Sequence, residues 1–392
     1  MTANVISNGH GESGPREIET RLFINNGLVK AQKEGTFEVI NPATEVITAH
    51  VQEATDTDVE LAVAAAEAAF PAWTTRVDLH RGIGLCALSA LYGGQGSRHS
   101  RRIPSPDRQL CEHHPPTFVW CLRGHNPMEC ASHDDDLQDA AGSDRRQHSS
   151  RGVVAKAPLT SLLIAKLADE AGFLAGVINI LNGHGAVCGA ALSAHPRMRK
   201  ISFTGSVRAG KAVLEAAAKS NLKKVTLELG GKSLLIIFDD PDVASAAQAA
   251  AKSILLNSGQ ACIASSRGYV HDSIAEAFSK QLVQVLKHLG SNPEEDNNPL
   301  SLSTRRGPQA TRGQFTSTLG YFDEVKQAGY KIISARKQEG RKGFFIEPTV
   351  IFKADEESRV MKEEVFGPVI CLSVFGDEKE VLKCANDGAY GL

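Results

Sequence analysis

The sequence predicts an α/β fold, and three observations carry the prediction. From Leu159 onward, short apolar runs of strand length alternate with longer stretches of helical period. The transitions between them fall at Gly, Asn, Asp and Pro breaks such as Asp239-Asp240-Pro241 and Asn257-Ser258-Gly259. The composition, 42% hydrophobic and 22% charged over 392 residues, is that of a chain able to bury two or three cores.

The elements follow in order. The first sixteen residues lack a basic stretch and an apolar stretch, so they are expected to be a disordered tail, not a signal peptide. Leu22–Asn25 and Leu28-Val29 flank Asn26-Gly27, which predicts a type I′ hairpin. Thr36–Ile40 is a second strand. Thr57-x-x-Glu60 is a capping box, and Val59, Val63, Ala66 and Phe70 then share one helical face that core packing explains. Between about Ile83 and Ala155 the pattern is lost: no apolar period of 2 or 3.6 persists, and neither helix nor strand is predicted. Beyond it, Leu159, Leu162, Leu163 and Leu167 mark a helix closed by Gly172. Gly176–Leu181 reads as a buried strand, Ile201–Phe203 as a strand, Ala209–Lys219 as a helix and Val225–Leu227 as a strand. Ser233–Phe238 is another apolar strand and Val243–Leu256 an alanine-rich helix. Ser291–Arg306 is polar and predicts a loop, and Val369–Leu372 a strand.

Several function classes are excluded by composition. A formal net charge of −2 argues against nucleic-acid binding. No apolar run approaches the roughly 18 residues that cross a bilayer. Eight cysteines without framework spacing imply reduced thiols, and a cytoplasmic location is the expectation. Cys111, His113, Cys121, His125, Cys130 and His133 are ligand types, but Cys121-x₃-His125 and Cys130-x₂-His133 are not zinc-finger spacings, and no metal is assigned.

Four short strings carry chemistry. Gly259-Gln260-Ala261-Cys262 presents a cysteine just after a helix-ending Asn-Ser-Gly. Glu228-Leu229-Gly230-Gly231-Lys232 places a carboxylate 34 residues earlier, at the end of a strand. A thiol and a carboxylate base together suit acyl or aldehyde chemistry through a thioester. A hydrolytic cysteine enzyme shares that chemistry, but no histidine dyad lies near Cys262 in sequence. Phe203-Thr204-Gly205-Ser206-x-x-x-Gly210 opens a helix after a strand, where free N–H groups bind phosphate; as a bare motif its spacing is not the dinucleotide fingerprint. Glu363-Glu364-Val365-Phe366-Gly367-Pro368 precedes a strand, and alone it would read as an acidic loop.

In this order and spacing the four strings closely resemble the signatures of the NAD(P)-dependent aldehyde dehydrogenase superfamily, over about four-fifths of the chain. The resemblance implies a Rossmann-like dinucleotide-binding domain (17–82 and 151–230), an irregular segment matching nothing in the family (83–150) and an incomplete α/β catalytic domain (231–392). It implies Cys262 as nucleophile and Glu228 as base. Gly205, Ser206 and Gly210 are placed at the pyrophosphate, Gly185 and Leu229 beside the nucleotide, Glu364 on the nicotinamide ribose and Phe366 packed near it. The implied cofactor is NAD, with NADP left open, and the substrate a small aldehyde.

The family's Pro-Trp-Asn motif, whose asparagine completes the oxyanion hole, is absent. Its ribose-binding lysine falls at Gly152, and the family runs about a hundred residues beyond Leu392. Both subunit-joining elements of this homo-oligomeric family are unrecognisable. Weak or absent turnover is therefore expected, with a catalytically dead member retaining cofactor binding as the alternative. A shifted reading frame over 83–155 would account for the abrupt loss and recovery of pattern.

Overall fold

A computed structural model describes residues 18–73, 118–123, 148–154, 157–290, 306–334 and 342–392. The expected tail and most of the irregular segment, with all its cysteines but Cys121 and all its histidines but His148, lie outside the described residues, as does most of the 291–306 loop. The chain divides into two compact units, one of residues up to Val39 with Ile47–Glu228, the other of Ile40–Val46 with Leu229–Leu392.

The first unit is built on a seven-stranded sheet. Its strands are β1 (Leu22–Ile24), β2 (Gly27–Val29), β5 (Phe118–Arg123), β6 (His148–Val154), β7 (Ile180–Gly183), β8 (Lys200–Thr204) and β9 (Lys224–Glu228), in the order β2-β1-β7-β6-β5-β8-β9. The five from β7 to β9 are parallel, and β1 and β2 join antiparallel at one edge. A separate ribbon pairs β3 (Thr36–Ile40) with β4 (Ile47–Gln52).

Two strands lie where none was expected. β5 and β6, within the irregular segment, pair with each other, and β5 also pairs with β8. The rule that failed was periodicity, which does not see the backbone pairing that makes these two segments strands. Gly152, where the resemblance put the family's lysine, is a backbone position in β6 between Leu122 and Leu181.

Local chemistry fixes the ends of elements. The β1–β2 turn is one residue earlier than read: Asn25 and Asn26 both have left-handed φ (54° and 56°), and Gly27 belongs to β2. Asparagine enters that region readily. The turn is also held, since Asn26 Nδ2 donates to Phe173 O (2.9 Å) and Asn25 N–H to Asn179 Oδ1 (2.8 Å). The first helix, α1 (56–73), starts two residues before the predicted box, because Thr55 caps it and Asp58 accepts from the Thr55 N–H and hydroxyl (2.8 and 2.9 Å). Its inner face is Val59, Ala62, Val63 and Ala66, all buried.

Helix α2 (Pro158–Glu170) ends at Gly172, φ +80°. Buried Leu162 and Ala165 pack with Phe23 and Ile180. The predicted Gly176–Leu181 strand starts only at Ile180, because Gly176 (φ +85°) turns against the Ala65 carbonyl. After β7 a π-turn (Gly185–Gly189) runs into α3 (Ala190–Ala194), and α4 (Val207–Ser220) joins β8 to β9.

The second unit holds a five-stranded sheet of β10 (Leu234–Ile237), β11 (Arg267–His271), β12 (Lys331–Ser334), β13 (Thr349–Phe352) and β14 (Val369–Phe375). Their order is β10-β11-β14-β13-β12, all parallel except β12. Alternate residues of β14 feed two cores. Ile370 and Leu372 pack with Phe278, Leu282 and the alanines of α5 (Val243–Leu255) and α6 (Ala275–Gly290). Val369 and Cys371 pack with Tyr321 of α7 (Arg312–Gln327), Val360 of α8 (Arg359–Lys362) and Val381 of α9 (Glu378–Asn386). Fully buried side chains such as Phe278 contribute about 1.5–3 kcal/mol each.

Candidate active site

Helix α5 stops at Leu255, and the chain then takes three consecutive left-handed residues, Asn257 (φ 50°), Ser258 (φ 56°) and Gly259 (φ 76°). Two of the three carry side chains, a conformation costing of order 1–3 kcal/mol each. Asn257 offsets part of that cost locally, its Nδ2 donating to Gln260 O at 3.0 Å. Gly259 must lack a side chain, since a Cβ would lie 2.1 Å from the Gly367 carbonyl carbon. The turn delivers Gln260, Ala261 and half-buried Cys262, with Ile263 half exposed beyond it. Ser233 Oγ donates to Cys262 O at 3.4 Å, and Gly231 leaves room for that carbonyl, because a Cβ there would meet it at 2.2 Å.

The Gly230-Gly231 loop is held from its other side. Gly231 N–H donates to Glu364 Oε1 at 3.1 Å, and a Cβ on Gly230 would sit 2.2 Å from Glu364 Oε2. The carboxylate expected on a ribose is thus also a clasp for this loop. Phe366 is half-buried and left-handed (φ 54°), and its carbonyl accepts from Gln314 Nε2 at 2.9 Å. Within the second unit the Cys262, Gly230-Gly231 and Glu364–Gly367 segments therefore touch one another. Leu229, which opens the longer segment of this unit, is half-buried.

Lys232 was given no role on sequence, although it stands in the glutamate's string. It is 3% exposed, and its Nζ has no hydrogen-bond partner among the described residues. Burial pulls its ammonium below the usual lysine range, and the Arg267 cation adds to that while Glu364 and Glu363 oppose it. Lys232 and Arg267 line a cavity of about 340 Å³ with Lys362, Asp387, Tyr390 and Leu392.

In the first unit Glu228 closes β9, paired with Thr204, and its carbonyl accepts from Gly205 N–H at 3.0 Å. That bond ties the candidate base to the candidate phosphate loop. The side chain is exposed. Ser206 is the N-cap of α4, its Oγ accepting from Ala209 N–H at 3.3 Å, which leaves the hydroxyl proton available to donate. Gly210 is buried in the first turns, its N–H on Ser206 O.

The Gly205 site needs glycine for packing, because a Cβ would meet the Phe203 ring at 2.6 Å. Gly185 is exposed with nothing within 4 Å of a Cβ, so the backbone there is open to a ligand. The strand order reverses between β5 and β8, and the Gly205-Ser206 loop leaves the carboxyl end of β8 at that reversal, where open α/β sheets bind nucleotides. Among the described residues no group of three or more His, Cys, Asp or Glu could hold a metal, and no helix is long and apolar enough to cross a membrane.

Comparison with known proteins defines the class. A profile described as aldehyde dehydrogenase family matches residues 28–88 and 154–392, leaving 89–153 unmatched. An aldehyde dehydrogenase of Davidiella tassiana is 34% identical over all of this chain and 85% of its own length, and one of Emericella nidulans 36% identical over 95% and 81%. Among solved structures, Pseudomonas syringae AldA indole-3-acetaldehyde dehydrogenase, a mutant complexed with NAD+ and IAA, superposes with TM-score 0.83 at 27% identity over 96% of this chain and 84% of its own. The NAD+ complex of a Bacillus cereus aldehyde dehydrogenase does so with TM-score 0.78 at 30% identity, over 95% and 83%. The chain belongs to the aldehyde dehydrogenase family.

Proposed function

We propose that the chain oxidises a small aldehyde to its carboxylic acid with NAD, through a covalent intermediate on Cys262. The observation that carries this reading is the left-handed turn, a strained backbone in a family member that holds a half-buried thiol at its exit. The Cys262 thiolate adds to the carbonyl carbon and gives a thiohemiacetal. Bound NAD supplies the hydride acceptor. The thioester left on Cys262 is opened by water, whose proton Glu228 takes. Ser206 with the first turn of α4 would hold the pyrophosphate, Gly185 and Leu229 would flank the nucleotide, and Glu364 and Phe366 would hold the nicotinamide ribose. NAD is preferred here with NADP as the alternative, and a cytoplasmic location goes with this reading.

A second reading has a specific observation behind it: residues 89–153 fall outside the family profile, and no Pro-Trp-Asn string occurs in the sequence. Loss of one oxyanion donor costs about 10²–10³ in rate. The full chain should then turn over slowly or only bind cofactor. NADH formation from an aldehyde series, with NAD binding followed separately, decides between them. Acid formed by the chain and abolished in Cys262→Ser supports the enzyme. NAD binding without NADH supports the silent member, and absence of both overturns each.

A further inference from the structure

We infer that Gln260 and Gln309 are positioning residues for Cys262. Together they lock the left-handed turn onto residues 307–310, and the lock sets how the thiol is presented. The inference rests on the reading of Cys262 as nucleophile.

A backbone with two adjacent left-handed residues that carry side chains, Asn257 and Ser258, persists only if its surroundings over-determine it. The required contacts come from one neighbouring segment. Ser258 Oγ donates to Gly307 O (2.7 Å), and Gln309 Nε2 returns a bond to Ser258 O (3.1 Å). Gln260 Oε1 accepts from Ala310 N–H (2.8 Å), while its Nε2 donates to Asn257 O (3.1 Å) and Pro308 O (3.3 Å). Both amides are removed from water, Gln260 at 3% exposure and Gln309 at 0%, so these bonds have no solvent competitor. The 307–310 segment is itself anchored. Gln309 N–H donates to Phe344 O at 2.8 Å, and Arg306 forms a buried ion pair with Glu347 (3.1 Å) and a bond to Ile346 O.

Gln309 shows that the lock serves more than stability. Its Oε1 is buried without a hydrogen-bond partner among the described residues. Such an oxygen costs about 1–3 kcal/mol, and an apolar side chain of similar volume would avoid the cost. What only an amide provides at this position is the bond to the Ser258 carbonyl, four residues before the thiol. Neither glutamine touches the reacting atoms, so both act through the backbone of the turn.

The test uses the full chain with Gln260→Ala and Gln309→Met. Alkylation of Cys262 by iodoacetamide is followed across pH by peptide mapping, with melting temperature and NAD affinity measured alongside. Both variants should alkylate Cys262 more slowly, with a displaced pH profile and unchanged NAD affinity. Turnover, where the chain shows any, should fall by about 10²-fold through kcat, with KM for aldehyde kept. Gln309→Met relieves the orphaned Oε1 but orphans the Ser258 carbonyl, so the two offset and the variant should melt close to the wild type while losing thiol reactivity, a combination that a purely structural role does not produce.

Alkylation profiles that superpose on the wild type overturn the proposal. So does a loss of reactivity in Gln309→Met that simply tracks a lowered melting point. Should Gln260→Ala fail to fold, Gln309→Met carries the test. Should the wild type oxidise no aldehyde, the alkylation profiles still decide this question, so the failure of one reading is distinguishable from the failure of the other.

Discussion

Gly259 has two independent reasons to carry no side chain, its φ of +76° and a Cβ position 2.1 Å from Gly367. Gly259→Ala must therefore both strain the turn and push it off the 364–368 loop, and a loss of about 2–4 kcal/mol in urea unfolding is expected. A stability unchanged within 0.5 kcal/mol would mean the turn is not built this way. Lys232 makes a prediction of opposite sign. Its folded-state pKa lies below the unfolded value of about 10.4, so the folded state sheds the proton first. Stability thus rises with pH through the window between the two values, and the cost of the buried charge is largest below it. Lys232→Met should raise the melting temperature at neutral pH, by an amount that shrinks as pH approaches about 10.4. A gain constant with pH would show that burial of charge is not the cause. Cys262 and Glu228 stood out in the sequence because their strings are specific. The burial of Lys232 and the contacts of Gln260 and Gln309 were not readable there, because an amine without a partner among the described residues and a lock between segments 50 residues apart exist only in three dimensions.

At the scale of elements, the sequence pattern located strands and helices well wherever one face alone is buried, as along α1 and α4. It erred at ends, where side-chain hydrogen bonds decide. Thr55, held by the Asp58 carboxylate, and not Thr57 and Glu60, starts α1, and Asn25-Asn26, not Asn26-Gly27, makes the first turn. Thr57→Ala should consequently leave stability within 0.5 kcal/mol, whereas Thr55→Ala should cost about 1 kcal/mol by loss of the cap. Thermal melts of the two variants separate the assignments, and a larger loss in Thr57→Ala would restore the original one. The strands β5 and β6 escaped notice for a different reason. They are held by backbone pairing on both sides, and β6 opens with His148, Ser149, Ser150 and Arg151, a polar run that no hydrophobic period could mark as a strand.

For the whole molecule, the two units each carry their own sheet and core, and each holds part of the proposed cofactor set. Both tryptophans, Trp73 and Trp120, fall in the first unit, Trp73 stacked on Phe173 with centroids 6.0 Å apart. Tryptophan fluorescence therefore reports the unit that carries Gly205, Ser206 and Gly210, whatever the other unit does. A ligand that binds only the folded state stabilises it by RT ln(1 + [L]/Kd), about 2.7 kcal/mol at a hundredfold excess over Kd. NAD at that excess should move the fluorescence-detected urea transition upward by this amount. Ser206→Ala should lose more of the shift than of the underlying stability, because the hydroxyl would serve the phosphate as well as Ala209 N–H. If NAD binds by calorimetry yet leaves the tryptophan transition in place, the nucleotide is held elsewhere. The α4 N-terminus would then be a helix cap alone, however closely its string matches the family's cofactor loop.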